Sequence, residues 1–235
     1  ISVDREIVAT QNDISFWRKI SEYYMCSLGE ALKAATPFLM ELTTKRVTKS
    51  ANLQQEAIPP APIPTLTEPQ QVCLSETLSH FSKNRTVLLN GTTCSGKGEI
   101  YLHLSQKYLS AGKSVLVLVP DIPSCRAMER HFSKHFTSPV LTYHSGQSTA
   151  KRRNTVNALL NSKDGSLIIG LRSALFLPLH NLGLIVVDNE HDPLYKQSEP
   201  TPRYNGRDTA LLLAQQTKAN ILLGSATPSF ESLHN

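Results

Sequence analysis

The sequence has no C-x-x-C pair: its four cysteines, Cys26, Cys73, Cys94 and Cys125, are scattered singly along 235 residues. That spacing excludes the paired-ligand pattern of a zinc site and offers no disulfide framework, so no zinc is expected and the cysteines read as reduced, mostly buried thiols. Long hydrophobic runs are also missing. Apolar runs such as Val115 to Val119 and Leu184 to Val187 fall far short of the roughly 18 to 20 residues of a membrane helix, and no membrane span is expected. The chain opens with Ile1, and no charged stretch followed by an apolar segment and a small-residue cleavage site stands near its start. The expectation is a portion of a cytoplasmic protein.

What is present is a chain of 40% hydrophobic and 18% charged residues, enough for one substantial core with a small satellite unit. The net charge of +5 and pI near 9.0 permit contact with a polyanion through phosphate neutralisation, but charge alone does not separate nucleic-acid binders from other basic proteins. Residues 14–36 read as helical, with Ile14, Trp17, Ile20, Tyr24 and Leu28 spaced by three or four and an interruption expected at Gly29. Tyr23 and Tyr24 are expected to pack that helix into the core. Pro59, Pro60, Pro62 and Pro64 with interleaved alanines predict an extended linker. The division expected is therefore a helical tail over 1–48, a proline-rich linker over 49–65, and a larger domain over 66–235.

Within 66–235, short apolar runs alternate with helix-length intervals: Thr86 to Leu89, Val115 to Val119, Val140 to Tyr143, Leu167 to Ile169, Leu184 to Val187 and Ile221 to Leu223. Such a pattern predicts an α/β fold, a parallel sheet with helices on both faces. Ligands in such sheets sit beyond the carboxyl ends of the strands.

After the first run comes Gly91-Thr92-Thr93-Cys94-Ser95-Gly96-Lys97-Gly98, then a predicted helix from about Lys97 to Leu109. Strand, glycine-rich loop, Gly-Lys and helix stand in the order that surrounds a polyphosphate with backbone N–H groups, with Lys97 reaching the outer phosphates. The eighth position, where a Ser or Thr hydroxyl would ligate Mg²⁺, is Gly98; water could fill that coordination place, with weaker binding expected.

Leu184-Ile-Val-Val187 leads into Asp188-Asn189-Glu190-His191, an apolar strand ending in an acid suited to hold Mg²⁺ through its water shell. The helicase form of this motif is D-E-x-H, whose second residue orients and activates the attacking water. Asn189 can hydrogen-bond water but cannot take its proton, so slow hydrolysis is expected; whether Glu190 reaches the site is not readable from sequence. Gly224-Ser225-Ala226-Thr227 follows the last run and is similar to the Ser-Ala-Thr motif that couples nucleotide state to DNA in superfamily 2 helicases.

Further segments resemble one family, the PriA replication-restart DNA helicases of superfamily 2, DExH type. They are Thr93 to Tyr101 (family pattern T-G-S-G-K-T-E-V-Y), Gly112 to Pro120, His144-Ser-Gly146, Ile169 to Phe176, Asn181 to Asp188, and the stretch from His191 to Asp208, similar to that family's aromatic-rich loop. Phe16 to Ala35 resembles the end of its 3′-DNA-binding domain. The resemblance implies a P-loop NTPase (RecA-like) helicase lobe 1 over 66–235, with ATP and Mg²⁺ as cofactors and Lys97, Asp188 and His191 as catalytic residues. Asp188 would hold the metal, Gly91 to Gly98 the nucleotide, and Ser225 and Thr227 would couple it to DNA. Gln70 is either an adenine contact or the closing residue of the capping box Thr67-Glu-Pro-Gln70. Arg172, Lys196, Arg203, Tyr204 and Arg207 are candidate contacts to forked or single-stranded DNA, cations on phosphates and tyrosine by stacking. Primosome proteins and single-strand-binding protein are implied as partners.

The sequence departs from the family at Gly98 and Asn189, and also at Leu171 (usually Thr), Asp121 (usually Glu) and Cys94 (usually Gly). The family's winged-helix domain, second lobe with its arginine finger and cysteine-rich region have no counterpart in these residues. The expectation is an ATP-dependent 3′-to-5′ helicase lobe acting in replication restart, inactive alone and impaired in hydrolysis. The alternative is a non-catalytic DNA- or primosome-binding module with a decayed nucleotide site.

Overall fold

The computed structural model describes residues 10–35, 60–83, 85–162 and 164–234; most of the expected linker, from 49 to 59, and the end of the helical tail, from 36 to 48, lie outside them. Six strands form one wholly parallel sheet: β1 (Thr86–Asn90), β2 (Ser114–Leu118), β3 (Val140–Tyr143), β4 (Leu167–Gly170), β5 (Leu182–Asp188) and β6 (Asn220–Ser225), ordered β1-β6-β5-β2-β4-β3. Every apolar run singled out in the sequence gives a strand, extended by one or two residues at some ends and, in β2, stopping one residue short of Val119.

The alternation of side chains explains why both faces are covered. Leu116, Leu118, Ile168, Ile185, Val187, Ile221 and Leu223 point into one core, with α1 (Gln11–Tyr23), α2 (Leu28–Ala35), α6 (Thr149–Asn161) and α7 (Gly206–Thr217) packed over them. Their neighbours Val115, Val117, Leu167, Ile169, Leu184, Val186 and Leu222 point the other way, under α3 (Glu68–Lys83), α4 (Lys97–Ser110) and α5 (Ile122–Phe132). A strand buried on both faces is apolar along most of its length; β2 and β4 are buried throughout, and the one buried hydroxyl of β2, Ser114, donates to the His180 carbonyl at 2.7 Å. A short α8 (Phe230–His234) follows β6. Among the described residues no helix is long and apolar enough to cross a membrane.

Three expectations are corrected. The N-terminal helical stretch breaks at residues 24–27 rather than at Gly29, because Met25 turns into the left-handed region (φ 49°) and Ser27 starts α2 with a capping box. The Ser27 N–H donates to Glu30 Oε2 at 2.8 Å and the Glu30 N–H to Ser27 Oγ at 3.2 Å. Gly29 simply lies inside α2. Tyr24 packs as expected, its hydroxyl lying 3.0 Å from the donating Asn205 N–H at the start of α7, but Tyr23 is exposed. Of the cysteines only Cys125 is buried, which pushes its thiol up to about 11; Cys26 and Cys73 are half-buried and Cys94 is exposed.

Candidate functional site

The strand order places β1, β6 and β5 side by side, so the loops that leave their carboxyl ends meet. The backbone ties them: the Gly91 N–H donates to the Ser225 carbonyl at 3.0 Å and the Glu190 N–H to the Gly224 carbonyl at 3.0 Å. Three motifs, with Gly91 and Ser225 134 residues apart in the chain, thus converge where a doubly wound sheet holds ligands.

The loop after β1 turns through two left-handed residues, Cys94 (φ 61°) and Gly96 (φ 82°), before α4 starts at Lys97. Glycine takes that conformation freely; Cys94 stands in it where the family pattern has glycine, at a cost of roughly 1 kcal/mol. Gly96 caps α4 without a side-chain hydrogen bond, and its carbonyl takes the Glu99 N–H at 3.0 Å; the start of a helix is suited to an anion. Lys97 Nζ donates to the carbonyls of Gly91 (2.8 Å) and Thr92 (3.0 Å), so its cation is folded over the same loop. A Cβ at Gly98 would meet nothing within 4 Å: the missing hydroxyl is a matter of residue type, not of space. Gln70 closes the capping box and also lies against the loop. Its Oε1 accepts the Thr67 N–H at 2.9 Å, closing the helix, and its Nε2 lies 3.4 Å from the Ser95 carbonyl, against the loop.

Asp188 ends β5, half-buried. Burial pushes its carboxyl above the ordinary aspartate range, opposed by the Tyr101 hydroxyl, which donates to Oδ1 at 3.0 Å, and by the Lys97 charge. Tyr101 was quoted in the sequence only as part of a family pattern; the structure makes it the residue that holds this carboxylate. Gly224 is glycine for its sake, since a Cβ there would stand 1.8 Å from the Tyr101 hydroxyl. The Tyr195 hydroxyl lies 2.7 Å from the Asp188 carbonyl and 3.0 Å from that of Leu118.

Asn189 adopts φ 49°, a left-handed conformation that asparagine tolerates better than glutamate. Glu190 turns away from Asp188 and is buried. Its Oε1 accepts the Ser229 N–H at 2.9 Å; its Oε2 lies 2.8 Å from Ser232 Oγ, 3.2 Å from Arg207 Nη1 and 3.3 Å from Ser229 Oγ. Burial raises its pKa, but these donors outweigh it and the carboxyl titrates below the ordinary glutamate range. The question left open by the sequence is answered: Glu190 is engaged by Arg207, Ser229 and Ser232. His191 Nδ1 is 2.6 Å from Ser225 Oγ, and Ser225 Oγ accepts the Thr227 N–H at 3.2 Å, so the Asp188–His191 and Ser225–Thr227 stretches are bonded directly.

The five candidate DNA contacts do not form one exposed cluster. Tyr204 is 2% exposed and packs edge-on against Phe176, so it cannot stack on a base from this position. Arg207 is also buried, its guanidinium taken by Glu190, Asp208 and Ser229. Both are corrections: an aromatic and a cation in a loop read as surface residues, yet they anchor the loop inside. Arg172 is half-buried and donates to the Leu194 carbonyl at 2.8 Å. Lys196, over the Tyr24 ring, and Arg203, paired with Glu199 at 2.7 Å, are exposed. Asp121 caps α5, its Oδ1 accepting the Ser124 N–H at 2.7 Å.

Residues 67–235 match the DEAD/DEAH box helicase family model, and residues 2–37 match that of the 3′ DNA-binding domain of PriA. The replication restart protein PriA of Rickettsia conorii is 36% identical over 236 residues, covering 100% of this chain and 35% of that protein. PriA of Chlamydia muridarum is 42% identical over 202 residues, 81% of this chain and 26% of that protein. The chain thus spans about a third or less of the length of these curated relatives. Among solved structures, the ATP-dependent Type ISP restriction-modification enzyme LlaBIII bound to DNA superposes with TM-score 0.53 at 16% identity, over 71% of this chain and 13% of that one, a likeness of fold.

Proposed function

Because the chain belongs to the DEAD/DEAH box helicase family, we propose that it is the first nucleotide-binding lobe of a PriA-like, ATP-dependent 3′-to-5′ DNA helicase serving replication restart, with hydrolysis impaired. The observation that carries this is the convergence of Lys97, Asp188 and the His191–Ser225 pair at the ends of three adjacent strands.

In this reading Gly91 to Lys97 hold the phosphates and Gln70 faces the adenine. Asp188, steadied by Tyr101, would hold Mg²⁺, which would supply charge neutralisation to the phosphates. The His191–Ser225 bond, with Thr227, passes the state of the site toward the DNA-facing loops. Asn189 can hold a water but not deprotonate it, and Glu190 is committed to Arg207. Lys196, Arg203 and Arg172 are the DNA contacts retained from the sequence. The helical tail (1–48), linker (49–65) and lobe (66–235) are the proposed domains, and primosome proteins and single-strand-binding protein the proposed partners.

The test is DNA-stimulated ATP hydrolysis by a chain extended with a second motor lobe and carrying Gly98→Thr and Asn189→Glu. Stimulated turnover is expected with both residues restored and little without them. No turnover in the restored chain would show that more than these two groups is lacking. The two departures also favour a second reading, a non-catalytic module that binds branched DNA. It predicts fork binding that weakens steeply with added salt and ignores nucleotide.

A further inference from the structure

The proline-bearing stretch that enters the lobe is tied down just before it reaches the phosphate loop. Pro60, Pro62 and Pro64 have no N–H, so the backbone of this stretch can be hydrogen-bonded only through its carbonyls and few remaining amides. The Ala61 N–H donates to the Lys134 carbonyl at 2.7 Å. His135 Nδ1 lies 3.2 Å from the Ala61 carbonyl and 3.0 Å from that of Pro62, and His103 Nε2 lies 2.9 Å from the Pro64 carbonyl. Carbonyls only accept, so each of these ring nitrogens carries the hydrogen. Ile63 packs against the core, Leu66 is buried, and Gln71 Nε2 donates to the Leu66 carbonyl at 2.8 Å. Four residues after Leu66 comes Gln70, whose amide nitrogen stands 2.1 Å from where a Cβ on Gly96 would be.

His103 is on α4, the helix that Lys97 opens, six residues or about 9 Å along its axis. The strap is therefore referenced to the element that aims Lys97 at phosphate. We infer that the 60–66 strap, pinned by His103 and His135, sets the position of Gln70 over the phosphate loop, so that these two histidines are positioning residues for recognition of the nucleotide base. The inference rests on reading Gly91 to Lys97 as a nucleotide site.

The test titrates the chain with Mg·ADP and Mg·GDP in five forms: unsubstituted, Gln70→Ala, His103→Leu, His103→Gln, and the Gln70→Ala/His103→Leu double variant. His103→Leu removes the donor, whereas His103→Gln keeps one at the same reach. The preference for ADP over GDP is expected to fall about three- to tenfold in His103→Leu, the worth of one neutral hydrogen bond. Gln70→Ala should lose as much, the double variant no more than either, and His103→Gln should retain the preference. A His103→Leu chain that melts lower yet keeps its preference has only lost a structural contact, and overturns the inference. So does a double variant whose losses multiply, or an unsubstituted chain that binds both nucleotides equally. An unsubstituted chain that binds neither nucleotide overturns the nucleotide-site reading itself.

Discussion

Glu190→Ala should cost this chain about 3 kcal/mol of folding stability. The Glu190 side chain is wholly buried, and truncation removes the acceptor of Arg207, of Ser232 and of both the N–H and the hydroxyl of Ser229. Removing one partner of a buried ion pair costs about 3 to 5 kcal/mol, mostly by stranding the other charge. The lower end applies here, because Arg207 is 11% exposed and keeps Asp208 at 2.8 Å. Glu190→Gln, which preserves shape but not charge, should cost less. The pH dependence has a definite sign. A carboxyl depressed below its unfolded value stabilises the fold above the ordinary glutamate range, near about 4.3, and loses that contribution as pH falls through the folded value. Urea unfolding at neutral pH should therefore separate unsubstituted chain from Glu190→Gln, and the gap should close in acid. A Glu190→Ala penalty under about 0.5 kcal/mol, or a gap unchanged in acid, would refute the reasoning.

Gly224→Ala should destabilise by about 1 to 3 kcal/mol through its collision with Tyr101, and Tyr101→Phe in the same chain should recover part of that loss by removing the hydroxyl. Asp188, by contrast, has a raised carboxyl pKa, so its contribution is present below the ordinary aspartate range and lost as pH rises through the folded value. Asp188→Asn should then unfold at higher urea at neutral pH, lose that advantage in acid, and weaken Mg·ADP binding at least tenfold, as loss of a charged metal contact implies. Gly98→Thr enters open space and should stabilise α4 by about 0.3 kcal/mol while tightening Mg·ADP in calorimetry; weaker binding would contradict the view that only the hydroxyl is lacking.

The sheet was legible because parallel strands buried on both faces are apolar along most of their length, and Val115 to Val119 or Leu184 to Val187 admit little else. The loop after β1 and Asp188 could be singled out as candidates because the chemistry expected of them fixes local spacing. What was not legible depends on residues far apart in the chain. Tyr204 and Arg207 look like surface residues until Phe176 and Glu190 are placed beside them, and Glu190 looks like a spare catalytic acid until Ser229 and Ser232 enclose it. Gly29 was the obvious helix breaker by composition, but the Ser27–Glu30 capping box restarts the helix before it. The roles of Tyr101 and the two strap histidines are invisible for the same reason: their partners, Asp188, Ala61, Pro62 and Pro64, are 39 to 87 residues away.

The most direct test of the nucleotide-binding lobe is calorimetric titration of the chain with ADP and Mg²⁺, beside Lys97→Ala. Saturable binding of one ADP, abolished by Lys97→Ala, is the expected result. Absence of binding, or binding that survives the substitution, would contradict it.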